Sequence, residues 1–181
     1  MKALLNASLL GLLTVGNTSF QQADQFFCLN HASPNSYYVV VEKRKYALHI
    51  FDSAGKRIVT YPVVFGNGDL RDKMMQGDRE TPEGTFHITC KKKHAKWCAF
   101  LALDYPTPES YEKFHARKAA GLIPPSADIG GGIGIHGTWP HEDFAIDQYQ
   151  NWTEGCISTK NDYILEIFEL LPVGTTVIIR K

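Results

Sequence analysis

Two residues in this chain of 181 have the types and the settings for nucleophilic catalysis. Cys156 follows Gly155 in the polar run "NWTEGCISTKN", residues 151–161. A structural thiol packs among apolar side chains, whereas this one stands among Thr153, Glu154, Ser158 and Thr159. A thiol attacks as its thiolate and needs a base or an electric field to become one. Gly155 allows a tight turn with two adjacent backbone N–H groups exposed, a setting for the oxyanion of an acyl-transfer intermediate. The competing reading of Cys156 is a buried small hydrophobe.

The base is expected among seven histidines. His31 lies in a linker, His94 at a lysine-rich turn and His115 on a surface helix; His49 and His87 sit within strands. His136 ends the glycine-flanked apolar strand "GIGIHG", twenty residues before Cys156, where a long loop begins. Strand ends that feed loops are where a rigid scaffold presents catalytic groups. Gly137 lets backbone carbonyls approach the imidazole and hold its tautomer. His141, in "PHED", is the second choice. Asp143 and Asp147 are candidates to orient His136, set against a reading as solvated loop acids. Trp139 and Trp152 flank the histidine–cysteine loop and are read either as walls of a substrate groove or as packing.

The elements that must position this pair read as mainly β. "YYVVVE" (37–42), "YALHIF" (46–51) and "RIVTYPVVFG" (57–66) are β-branched and aromatic, are separated by short turns, and predict a meander. Residues 66–84 carry many turn formers and little apolar period, which predicts a long functional loop. "TFHITC" and "WCAFLALDY" resume the strands. Residues 107–121 predict a helix with Thr107 as cap, Pro108 in the first turn and Gly121 as stop. "NDYILEIFELL" predicts an amphipathic helix, and "GTTVIIR" a closing strand. The expectation is a sandwich or barrel-like β domain with two short helices.

Composition limits the function classes. Nineteen basic and nineteen acidic residues cancel, so charge gives no reason to expect nucleic-acid binding. "KKKHAK" at 91–96 is a local exception, read as a solvated hairpin tip. The N-terminus has Lys2 before the apolar run Ala3–Val15, which predicts a signal peptide over 1–20. A linker over 21–36 and one domain over 37–181 follow. No other apolar run is long enough for a membrane span, so stable insertion after export is not expected. Four cysteines suit an exported protein: Cys90 and Cys98 flank the lysine-rich turn and are placed for a hairpin disulfide, while Cys28 has no assignment. A metal at Cys90, His94 and Cys98 would require a helix where a hairpin is expected.

"GIHGTW" followed after a loop by "WTEGCIS" resembles the histidine and cysteine signature of the L,D-transpeptidase catalytic domain, the YkuD-type family. "GDRETPEGTFHI", residues 77–88, resembles that family's "TPEG" element, and the likeness runs from about residue 37 to 180. The resemblance implies an enzyme of the bacterial cell envelope, periplasmic or otherwise exported, that acts on peptidoglycan stem peptides. The cysteine would attack a diaminopimelate carbonyl, release a D-amino acid and form a thioester. An amine on a second stem or a lipoprotein, or water, would resolve it. Carried onto this sequence, Cys156 is the nucleophile and His136 the base, oriented by Gly137, with the Gly155 and Cys156 amides as oxyanion hole. Thr153 supports the site, and no metal or organic cofactor is implied. Two positions depart from the family's commonest pattern. Glu154 stands where a histidine is common, and Ser158 where an arginine would hold a substrate carboxylate. Arg71, Lys73 or Arg79 are candidates to supply that cation, and Glu154 to face a substrate amine. Hydrolysis on the same scaffold, and a non-catalytic wall-binding role, remain the alternatives.

Overall fold

The computed structural model describes residues 37–181, in which eight strands form one curled sheet ordered β3-β2-β1-β8-β4-β5-β6-β7. The expected meander is present as β1 (Tyr37–Glu42), β2 (Ala47–Asp52) and β3 (Arg57–Pro62), paired antiparallel. Alternation along β1 and β2 places Val39, Val41, Leu48 and Ile50 in the core with no exposure. The long loop then leads to β4 (Gly84–His94) and β5 (Cys98–Leu103), an antiparallel hairpin. The closing strand β8 (Thr176–Arg180) runs between β1 and β4, parallel to the first and antiparallel to the second.

β6 (Gly134–His136) pairs with β5, and the two-residue β7 (Ile157–Ser158) pairs with β6 in parallel. Helix α1 (Pro108–Ala119) starts as expected: the Thr107 hydroxyl accepts from the Ser110 amide. Helix α3 (Asn161–Leu170) packs on β5 and buries Ile164, Ile167 and Phe168. The mainly β class holds, with one addition to the two helices expected. A single turn, α2 (Phe144–Asp147), lies in the loop after β6; four residues are too few to show a helical period in sequence. No helix among the described residues is long and apolar enough to cross a membrane. The expected signal peptide, linker and Cys28 lie outside the described residues.

One cysteine expectation is corrected. Cys98 carries a free thiol, so the disulfide that Cys90 makes is not the hairpin bridge to Cys98. Cys98 adopts a left-handed backbone at the hairpin's return, φ 60°.

Candidate active site

β6 delivers His136 to the site. Its ring is buried at 2% exposure, and Nδ1 lies 2.7 Å from the Gly137 carbonyl oxygen. A carbonyl only accepts, so Nδ1 carries the proton and Nε2 keeps a free lone pair. The Ser158 hydroxyl donates to the same carbonyl at 3.2 Å, which fixes the acceptor from the neighbouring strand. Gly137 is required by close approach. A Cβ there would overlap Asn161 Oδ1 and come within 2.7 Å of the Trp97 carbonyl oxygen.

Aromatic rings form the pocket around the imidazole. Trp97 stacks on His136 with centroids 4.7 Å apart, and His94 stacks on the far face of the same indole at 4.4 Å. Phe100, the register partner of His136 on β5, also lies nearly parallel to it. Trp152 meets the ring edge-on at 5.4 Å. Burial in this setting brings the imidazole pKa down to about 4, against the pull of the Gly137 carbonyl; nearby His94 adds to the lowering.

Cys156 stands just before β7. His136 pairs with Ser158, and the two-residue period of a strand puts position 156 on the same face of the pair. At rest the thiol donates to the Gly132 carbonyl oxygen at 3.5 Å rather than to His136. Burial pushes its pKa up to about 11, with a Gly134 backbone hydrogen bond and the Lys73 charge opposing. The resting pair is therefore thiol and neutral imidazole.

The turn that holds the thiol is built by Thr153 and Gly155. The buried Thr153 hydroxyl donates to the Cys156 carbonyl and accepts from the Gly155 amide. The Gly155 N–H is thus used inside the turn, whereas the Cys156 N–H bonds to no protein atom among the described residues. Of the two amides assigned to an oxyanion hole, only that of Cys156 is available. Gly155 has φ 119°, and a Cβ there would stand 2.7 Å from the Glu80 carbonyl oxygen. The Phe65 carbonyl accepts from the Trp152 and Thr153 amides and ties the turn to the end of the meander.

The remaining expected residues separate into surface and support. Glu154 points outward, 80% exposed, with Arg79 Nε 3.4 Å from its carboxylate. Ser158 is fully buried and faces the Gly137 carbonyl, so it lies behind the site and away from any substrate surface. Trp139 is exposed; with Trp152, Thr138 and Glu142 it lines a cavity of about 170 Å³ beside His136. Of the three candidate cations, Lys73 is buried on Asp78 and Arg71 is paired with Asp69. Arg79 reaches the nucleophile turn, donating to the Thr153 carbonyl at 3.2 Å. Asp143 does not touch His136. Its carboxylate accepts from Thr138 Oγ1 and from the Asn161 amide, bracing the loop that leaves His136. Asp147 pairs with Lys160. Sequence reasoning missed Trp97 and Phe100; the available signal was the aromatic run "WCAF" on a strand that had to pair somewhere.

Fold and site together define a class: a mainly β domain that seats a glycine-linked cysteine beside a neutral, strand-end histidine. The chain belongs to the L,D-transpeptidase catalytic domain family (YkuD), which it matches over residues 36–179. It is 29% identical over 151 residues to YqjB of Bacillus subtilis, a protein that carries an L,D-transpeptidase name; the match covers 81% of this chain and 72% of that one. Among solved structures, it resembles the helical cell shape determining protein Pgp2 of Campylobacter jejuni. That likeness has TM-score 0.59 and 22% identity over 85% of this chain and 50% of Pgp2. It also resembles Bd1075 of Bdellovibrio bacteriovorus, with TM-score 0.55 and 19% identity over 81% of this chain and 47% of that one. At these identities the two structures speak to the fold alone. The chain spans about half the length of either.

Proposed function

We propose that this chain is an exported cysteine acyltransferase acting on peptidoglycan stem peptides. One observation carries the reading: His136 is neutral, its Nδ1 is committed to the Gly137 carbonyl, and its Nε2 lone pair is free on the strand beside Cys156. Family membership supplies the substrate class. In the proposed reaction Cys156 Sγ attacks a diaminopimelate carbonyl carbon whose amide holds a terminal D-amino acid. The S–C bond forms as the thiol proton passes to His136 Nε2. The Cys156 N–H donates to the developing oxyanion. The C–N bond then breaks, and the imidazolium returns its proton to the leaving nitrogen. An amine of a second stem or of a lipoprotein attacks the thioester, loses a proton to His136, and the sulfur leaves and is reprotonated.

Hydrolysis of the same thioester by water is the second reading. Ser158 favours it, because this position, buried and uncharged, offers no cation to a second stem's carboxylate. Muropeptide analysis separates the two. Cross-linked or amino-acid-exchanged products mark transfer, and shortened stems mark hydrolysis. Cys156→Ala is expected to abolish every product and any covalent carbapenem adduct. Products that persist in that variant would refute the assignment of the nucleophile.

A further inference from the structure

A second concavity lies against the nucleophile turn. It holds about 330 Å³ and is bounded by the long loop before β4 and by Leu122 and Ile123 beyond α1. Four acids, Asp69, Asp72, Asp78 and Glu80, line it with one base, Arg71. Three of the acids are neutralised: Asp69 by Arg71 at 2.6 Å, Asp72 by Arg117 at 2.6 Å, and Asp78 by Lys73 at 2.7 Å.

Glu80 is the exception. It is 5% exposed, yet its carboxylate accepts no hydrogen bond among the described residues. Its nearest cation is Arg71 Nε, 3.9 Å away and already committed to Asp69. A buried carboxylate left without hydrogen bonds is costly, and a native fold keeps one where a ligand completes it. The Glu80 main chain touches Gly155, so this unmatched charge sits one residue's width from the nucleophile turn. Met74, Met75, Leu122 and Ile123 give the same cavity apolar walls. A methylene chain ending in a cation fits such a lining.

The geometry points to an ammonium subsite: the cavity takes an aliphatic primary amine, the amine-bearing side chain of the stem peptide's diaminopimelate, with Glu80 as its counter-charge. This deepens the proposed function and rests on it for the peptide. It moves amine recognition from Glu154, which is exposed and faces Arg79, to Glu80.

The test is binding of the tetrapeptide L-Ala–D-Glu–meso-diaminopimelate–D-Ala, with its side-chain amine free or acetylated. Calorimetry on the full chain in a Cys156→Ala background prevents turnover. The free amine is expected to bind at least tenfold more tightly than the acetylated form. Glu80→Gln is expected to bind the two peptides alike. Arg71→Gln, a change at an exposed residue, is expected to tighten the free-amine peptide severalfold, because it removes the competing cation. Equal affinity of both peptides for the Cys156→Ala parent overturns the subsite and leaves the acyl-transfer reading standing. A tenfold preference without any thioester on the Cys156-containing enzyme, read by intact mass, upholds the subsite and overturns acyl transfer. Binding of neither peptide overturns both.

Discussion

Burial moves His136 and Cys156 in opposite directions, the imidazole down to about 4 and the thiol up to about 11. A resting thiolate–imidazolium pair needs the thiol to be the stronger acid, and here that order is reversed. At neutral pH the nucleophile is a thiol, and the base takes its proton only as attack proceeds. Alkylation of Cys156 by iodoacetamide reports this directly, since only the thiolate reacts. Its rate should climb about tenfold per pH unit from pH 6 through pH 9, with no plateau near neutrality. His136→Gln should preserve that slope while lowering turnover by about a hundredfold or more. A plateau at pH 6–7 in the wild-type protein would mean an ion pair already formed and would sink the account. The same residues mark what sequence could and could not say. Cys156 and His136 were legible because each stood in a setting unsuited to packing. The consumption of the Gly155 amide by Thr153 was not, because it depends on a side-chain rotamer within a turn.

The nucleophile turn and the loop before β4 work as one element, joined where Gly155 meets the Glu80 carbonyl. Gly155→Ala tests the joint. It would place a side chain at φ 119° and a Cβ 2.7 Å from backbone, so strain and overlap act together. The expected cost is about 2–3 kcal/mol of stability, with loss of thioester formation because Cys156 is displaced. Gly121→Ala is the control: φ is also positive, 69°, but nothing lies within 4 Å of the new Cβ. It should cost about 1 kcal/mol and leave turnover intact. Equal effects from the two would show that backbone conformation alone matters and that the contact with Glu80 does not. At this scale the meander, the hairpin, α1 and α3 were legible, since each carries its own period or cap. Trp97 was not, because the register of Phe100 against His136 is what lays the indole on the imidazole, and register between distant strands leaves little local trace. The place of β8 between β1 and β4 was hidden for the same reason.

The whole domain converges on a buried cation far from the thiol. Lys43, in the turn between β1 and β2, has no exposure at all. Its ammonium donates to the Arg71 carbonyl at 2.7 Å and the Thr81 carbonyl at 3.1 Å, and pairs with Glu83 at 2.8 Å. All three partners belong to the long loop that carries Glu80 to the nucleophile turn. One side chain thereby fastens the loop to the first hairpin, and through it the meander to the site. Lys43→Met keeps the aliphatic volume and removes the charge, leaving Glu83 and two inward carbonyls without their donor. Glu83 is about a quarter exposed and recovers part of its hydration, which places the expected loss near 3 kcal/mol, the low end for a broken buried pair. For a domain of this size that is a fall of roughly 6–12 °C in Tm. Lys43→Met combined with Glu83→Gln should recover part of the loss, since no unpaired carboxylate then remains. Both variants should also slow thioester formation, because the loop that supports Gly155 has lost its anchor. A single-variant loss below about 1 kcal/mol, or a double variant no better than the single, would show that the loop is held by its own turns and that Lys43 is incidental.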